Sequence, residues 1–309
     1  AYRTGHGVID GRHYLSLFTP PSHEYYKTTD VVLAVGSYMR TALERWGTDS
    51  NMKIIRIDVD SNAMHALQMP DVPIVAQAED AMPLLLDAVA KHNIKRDSIE
   101  DEMLAIKAKW AESTAYLEPQ NSYLKVIREE LGEDGIFVDE LTQVGFVSRI
   151  NMPVYKPRTF LTSGYQGTLG YGFPTGLGAK IAKPDVPVVS ITGDGGFMFT
   201  VQSVATAVQH KIGVVSVIFN NDAYGNVRNM QIRDYGERVI ATDLVNPDFV
   251  KLAEAFGANG FRAETPEQLR VALQKGFASD LPTLIEVPMG QVGSVDRFRS
   301  MGHVRPPRS

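Results

Sequence analysis

At 309 residues, with 44% hydrophobic and 22% charged side chains, the chain has a globular composition and room for one large or two ordinary cores. A net charge of −5, a pI near 5.8 and the lack of any long basic run argue against a nucleic-acid partner. The absence of cysteine excludes disulfides and cysteine-ligated zinc and fits a cytoplasmic location. Nothing reads as a signal peptide, and no apolar run is long enough to span a membrane.

The opening, AYRTGHGVIDGRHYLS, reads as the interior of a domain. Gly5-His6-Gly7 and His13 carry imidazoles capable of binding a metal, but histidines spaced by glycines in a loop are expected to be solvated. Residues 31–35 form a strand of buried type closed by Gly36. Residues 53–59 form a second, ending with Asp58 and Asp60, and residues 73–76 a third. Residues 80–92 read as a helix with Asp80 as its N-cap. Such alternation predicts a parallel sheet. Asp58 and Asp60 are expected to cap the next helix rather than to act as an acid and base pair. The charged stretch 94–119, which contains KRDSIEDEMLAIKAKWAES, reads as a solvated helix that links two domains and ends near Pro119.

A second domain begins at Gln120, with an amphipathic helix over 123–131 stopped by Gly132 and strands over 136–141 and 159–162. The segment SGYQGTLGYGFPTGLGAKIA, residues 163–182, holds six glycines. They imply close backbone contact with something, followed by a tightly packed helix. Residues 188–192 are a short β-branched run, the pattern of a strand buried on both faces. Gly193-Asp194-Gly195-Gly196 breaks it. Phe197, Phe199, Val201, Val204, Ala205 and Val208 then line one side of a helix. A second buried strand, 214–219, ends at Asn220-Asn221-Asp222. Parallel strands joined by a crossover helix bring Asp194 and Asn221 to one carboxyl edge, where ligands of open α/β sheets sit. Helices over 246–257 and 265–279 and a strand over 283–288 complete a doubly wound domain. The Arg- and Gly-rich tail, 290–309, is expected to cover a surface or a partner.

The residue types at that edge define a chemistry. Glycines 193, 195 and 196 let backbone approach a ligand and leave N–H groups at a helix start, where phosphate is favoured. Asp194 and Asn221 present hard oxygens suited to Mg²⁺, and the Ala223 carbonyl offers another. The combination describes a diphosphate held through a divalent cation. A nicotinamide dinucleotide site has a related layout. Here, however, the third glycine of G-x-G-x-x-G is missing, and Asp194 would repel a bare pyrophosphate.

Gly193-Asp194-Gly195, residues 196 through 219, and then Asn220-Asn221 together resemble the thiamine-diphosphate motif. The resemblance implies Asp194, Asn221 and the Ala223 carbonyl as Mg²⁺ ligands. It also implies Gly193, Gly195, Gly196 and the Tyr224-Gly225-Asn226 turn as diphosphate contacts. In the resembled family the glycine-rich segment holds the aminopyrimidine. There the Gly167 carbonyl would accept from the 4′-amino group, with Thr168 beside it, and Leu169 would hold the cofactor bent. VVLAVG and KIIRIDVD resemble segments of the central domain of acetolactate synthase-like enzymes. The expected fold is thus an α/β, doubly wound parallel-sheet diphosphate-binding domain preceded by a partial α/β central domain. Its expected divisions are 1–95 for the central part, 96–119 for a helical linker and 120–309 for the diphosphate-binding domain.

The resemblance further implies a 2-keto acid substrate that loses CO₂, its remainder being protonated or passed to an acceptor. Thiamine diphosphate carries the reactive carbon, and the protein supplies position and electrostatics. The family's activating Glu lies on a separate pyrimidine-binding domain, and no Glu of this chain matches its motif. The chain is therefore expected to be a fragment or one subunit of a split enzyme, inactive alone. It is expected to work as a homodimer or tetramer, or paired with a chain that carries the pyrimidine domain. Acetolactate synthase has a Trp where Met230 falls, which leaves decarboxylases, 2-hydroxyacyl-CoA lyases and other carboligases open. Arg228 and Arg233 are candidates for a substrate carboxylate and equally for exposed helix positions. A non-catalytic thiamine-diphosphate-binding protein and, more distantly, an NAD-dependent dehydrogenase are the alternatives.

Overall fold

The computed structural model describes residues 5–164, 166–290, 292–299 and 301–306. Residues 1–4 of the opening, Tyr165 in the glycine-rich segment, and Gln291, Ser300 and residues 307–309 of the tail lie outside the described residues. The chain forms two compact units, Thr19–Lys107 with Asp296–Ser309, and Ala1–Phe18 with Ala108–Val295. These units do not coincide with the divisions expected at 95 and 119. Residues from both ends of the chain are the cause. Gly7 and Gly11 pack against backbone at Val154 and Lys156 in one unit, and Arg305 is buried in the other.

The smaller unit holds helix α1 (Thr19–Tyr26), strands β1 (Val31–Val35), β2 (Lys53–Asp58) and β3 (Val72–Val75), and helix α2 (Ala78–Ala90). The strands form a parallel sheet in the order β1-β2-β3. Its core gathers Tyr26, Trp46, Met52 and Ile54. The expectation that 31–35 is buried on both faces fails. Strand β1 lies at the sheet edge, and its alternate residues Val31, Leu33 and Val35 are exposed. Nor is Asp80 an N-cap. The helix starts earlier, with Gln77 at the cap, and Asp80 sits in the first turn, where a negative charge complements the helix dipole. Asp60 does cap the helical turn at Ser61–His65, accepting from the Asn62 N–H at 2.8 Å, and Asp58 accepts from Arg56. From the tail, Arg305 donates to both Asp49 oxygens at 3.0 Å and to the carbonyls of Tyr26, Lys27 and Thr29.

Helix α3 (Glu100–Thr114) carries the chain into the larger unit. There follow α4 (Gln120–Leu131), β4 (Ile136–Val138), α5 (Gln143–Asn151), β5 (Phe160–Leu161), α6 (Gly172–Ala182), β6 (Val188–Gly193), α7 (Asp194–Met198), α8 (Ser203–Gln209) and β7 (Val215–Asn220). The unit closes with α9 (Gly225–Asp234), α10 (Phe249–Phe256), β8 (Asn259–Arg262), α11 (Pro266–Phe277) and β9 (Thr283–Pro288). The six strands are all parallel, in the order β5-β4-β6-β7-β9-β8. Strands β6 and β7 are central and read as continuous apolar runs because helices cover both faces. The polar pair they contain, Ser190 and Ser216, is satisfied internally by a 3.1 Å hydroxyl–hydroxyl bond. Phe173, Phe197 and Phe249 stack edge to face between helices and sheet. The chain runs outward from β4 to β5 and then back across to β6. The strand order therefore reverses between β4 and β6, and the carboxyl ends at such a reversal are where open α/β sheets bind ligands.

Several local expectations give way. The helix after Gly193 is two helices, α7 and α8, and Phe199 between them is exposed. The strand at 136–141 stops at Val138, and Asp139–Thr142 form a buried loop that leads into α5. The turn after Asn221 continues into α9. Strand β8 carries Asn and Gly at an edge and gives no strand pattern in the sequence. His6 is buried between Phe18 and Phe160, not solvated, and burial lowers its pKa to about 4. No helix among the described residues is long and apolar enough to cross a membrane.

Candidate functional site

Four neighbouring strands deliver their C-terminal loops to one place. The β4 loop supplies Asp139–Thr142, the β5 loop residues 166–170, the β6 turn Gly193–Gly196 and the β7 turn Asn220–Gly225. The parallel register sets Gly193 opposite Phe219, which brings the last two turns level.

Asp194 opens α7 and is 2% exposed. Its carboxylate accepts from Asn246 Nδ2 at 2.7 Å and from the N–H groups of Gly195 and Ala223. Burial pushes its carboxyl up, and these donors pull the other way. The Ala223 N–H belongs to the β7 turn, so the two corners meet at this carboxylate. Asn246 also donates to Asn220 Oδ1 and Asp222 Oδ1, each at 3.0 Å. Asn220 is committed further, donating to Glu286 Oε1 at 2.8 Å, while Glu286 receives Arg262 on its other oxygen at 2.8 Å. Asn221, the second of the pair, lies against Gly225, where an added Cβ would stand 2.7 Å from Asn221 Nδ2. The turn is strapped from outside: Tyr224 N–H donates to the Thr242 carbonyl and Leu244 N–H to the Asp222 carbonyl, both at 2.8 Å.

The glycines of the two motifs have distinct physical reasons. The Tyr224 ring covers Gly195 so closely that no Cβ would fit. At Gly170, φ is +79°, a conformation that side chains other than glycine's rarely adopt. Gly167 rests on the Leu141 side chain, exposed like Thr168, whose hydroxyl donates to the Leu169 carbonyl at 3.2 Å. Leu169 is half-buried. Asn226 approaches Met230 Sδ at 3.9 Å on α9. Of the two arginine candidates, Arg228 pairs with Asp243 at 3.2 Å and Arg233 with Asp234 at 2.6 Å, both near the solvent.

Two residues absent from the sequence reading carry much of this geometry. Asn246 is the side chain hydrogen-bonded to Asp194, and Glu140 is a buried carboxylate between the glycine loop and the Gly193–Gly196 turn. In the sequence Glu140 falls inside the expected strand 136–141 and carries no signal of its own, since the strand ends at Val138. Its neighbour Asp139 is tied to Arg149.

The adjacent β6 and β7 turns carry a buried carboxylate at Asp194, a carboxamide at Asn221 and the Ala223 carbonyl, oxygens of the kind a hard cation takes, and burial of Asp194 is a cost that a bound cation would relieve. These residues fit Mg²⁺ and a diphosphate. The doubly wound parallel α/β fold is that of a thiamine-pyrophosphate-binding domain. Residues 142–287 match the C-terminal TPP-binding domain of thiamine pyrophosphate enzymes, and this part of the chain is a domain of that family. Within it the chain is acetolactate synthase-like. It is 32% identical to the probable acetolactate synthase large subunit of Methanococcus aeolicus over 91% of this chain and 52% of the relative. It is 35% identical to that of Methanocaldococcus jannaschii over 76% of this chain and 42% of the relative. It is also 28% identical to the sulfoacetaldehyde acetyltransferase of Castellaniella defragrans, over 84% and 49%. The chain spans about half the length of the curated relatives it matches.

Proposed function

We propose that the chain is the thiamine-diphosphate- and Mg²⁺-binding portion of an enzyme that decarboxylates or carboligates 2-keto acids. In this reading Asp194, Asn221 and the Ala223 carbonyl hold Mg²⁺. Gly193, Gly195, Gly196 and Tyr224-Gly225-Asn226 line the diphosphate, and Gly167, Thr168 and Leu169 receive the aminopyrimidine end. The observation that carries it is the Asp194 carboxylate, buried and bonded to N–H groups from both turns. Asn220 is spent on Glu286 and Asn246, which leaves Asn221 as the carboxamide for the cation. When bound, thiamine diphosphate supplies a carbon nucleophile for the keto carbonyl. The protein's part is to fix the diphosphate at one end and the ring at the other.

The family's activating Glu is taken to come from a pyrimidine-binding domain, in a homodimer, a tetramer or a paired chain, and the 309-residue chain alone is inactive. Residues 1–95 and 120–309 are the central and diphosphate-binding parts, joined by 96–119, in a cytoplasmic enzyme. The acceptor stays open between the reactions named for the relatives. Calorimetric titration with thiamine diphosphate, with and without Mg²⁺, tests the site. The wild-type chain should bind weakly and only with Mg²⁺, and Asp194→Ala should not bind. Equal binding by both chains would overturn the metal assignment, and turnover of pyruvate by the isolated chain would overturn its inactivity.

A further inference from the structure

Glu140 is 1% exposed, and among the described residues its carboxylate is held by neutral donors. Oε1 accepts from the Gly170 N–H at 3.0 Å and Oε2 from the Gly172 N–H at 2.7 Å, with the Thr192 hydroxyl as a further donor. Both oxygens are thus spent on the end of the glycine-rich loop and the first residue of α6. The same carboxylate fixes the opposite wall. A Cβ on Gly196 would run into Oε1, and one on Gly172 would come within 2.9 Å of Oε2. On the backbone side, a Cβ on Gly145 would strike the Glu140 carbonyl. The carboxylate thus stands against two glycines from two segments, the residue's carbonyl against a third, and Glu140 lies just past β4, at the β4–β6 reversal of the sheet.

We propose that Glu140 is a positioning residue that sets the Gly167–Gly170 loop at its distance from the Gly193–Gly196 turn. The inference rests on the reading that the loop takes the ring end of thiamine diphosphate and the turn its diphosphate end. The contact with Gly196 is steric, whereas the contacts with Gly170 and Gly172 are hydrogen bonds that need an acceptor at both oxygens. The isosteric change Glu140→Gln separates these roles. It keeps the volume beside Gly196 but turns an NH₂ toward one of the loop N–H groups, leaving a buried donor unmatched.

The test compares wild type, Glu140→Gln and Glu140→Asp with two ligands, Mg²⁺–thiamine diphosphate and Mg²⁺–pyrophosphate, and follows amide exchange over residues 166–172. In Glu140→Gln the affinity for thiamine diphosphate should fall roughly tenfold, the effect of one lost charge-assisted hydrogen bond. Affinity for pyrophosphate should hold within about twofold, and the Gly170 and Gly172 amides should exchange faster. Glu140→Asp, which keeps an acceptor, should recover part of both losses. Equal loss of the two ligands, or unchanged exchange at Gly170 and Gly172, would overturn the positioning role and leave Glu140 a core residue. If wild type binds neither ligand, the cofactor reading fails and takes this inference with it. If wild type binds both and Glu140→Gln matches it, Glu140's role alone fails.

Discussion

Gly196 sits in the first turn of α7, where alanine would gain up to about 1 kcal/mol in helix propensity and a few tenths more from a stiffer unfolded chain. Against this stands the Glu140 oxygen in the space a methyl group would need, in a core with no slack. Overpacking of this kind costs about 1–3 kcal/mol, so the clash wins. Gly196→Ala should lower stability by about 1–2 kcal/mol, seen as a lower urea midpoint. His6 makes a second prediction. Its native pKa of about 4 lies below the ordinary 6.5, so the unfolded chain takes up the proton first. Stability is then complete above about pH 6.5 and falls as the pH drops toward 4. It levels off below that, with a total loss on the order of 3 kcal/mol. His6→Phe, which keeps the ring contacts to Phe18 and Phe160, should flatten that slope in denaturant titrations run from pH 7 to pH 4.

Between elements, Glu286 is the junction that spares Asn221. From β9 it receives Arg262 of β8 on one oxygen and Asn220 of β7 on the other. Arg262 is 44% exposed, so solvent screens its share, while Glu286 itself is buried. Glu286→Ala should cost about 2 kcal/mol and free the Asn220 side chain to turn, weakening Mg²⁺-dependent binding of thiamine diphosphate by calorimetry. Glu286→Gln should keep the bond to Asn220 and most of the affinity. Such a junction leaves no mark in a linear reading, because its members lie 24 and 66 residues apart. What was legible were the patterns that buried parallel strands impose. Strands β6, β7 and β9 are found within a residue of where β-branched runs predict them, and Asp194 and the Asn220-Asn221 pair fall at one edge. Edge strands were legible only in part: β1, β3 and β5 stand where the sequence puts them, but β1 is not covered on both faces, and β8, with Asn and Gly and no β-branched run, was missed. Glu140 and Asn246 escaped for a third reason. Each matters only through loops that meet after the sheet has formed.

At the scale of the whole molecule, the C-terminal tail and residues 19–107 form one compact unit despite their distance in sequence. The Arg305 guanidinium, 8% exposed, carries that association through Asp49 and three carbonyls of the same unit. Removing one side of a buried ion pair costs about 3–5 kcal/mol. Arg305→Ala should therefore raise amide exchange in peptides across residues 19–60 and leave those across residues 188–220 unchanged. A parallel rise in both sets would mean that the two units do not unfold separately.

The closed ring of contacts around the Gly193–Gly196 corner has a thermodynamic consequence. The Tyr224 ring and the Glu140 carboxylate pack against this backbone, and the strap at Thr242–Leu244 holds the turn that carries Tyr224. A ligand arriving there meets a rigid mould and orders little chain. Its association should therefore show only the modest negative heat-capacity change expected for the area it covers, without the large term that accompanies coupled folding.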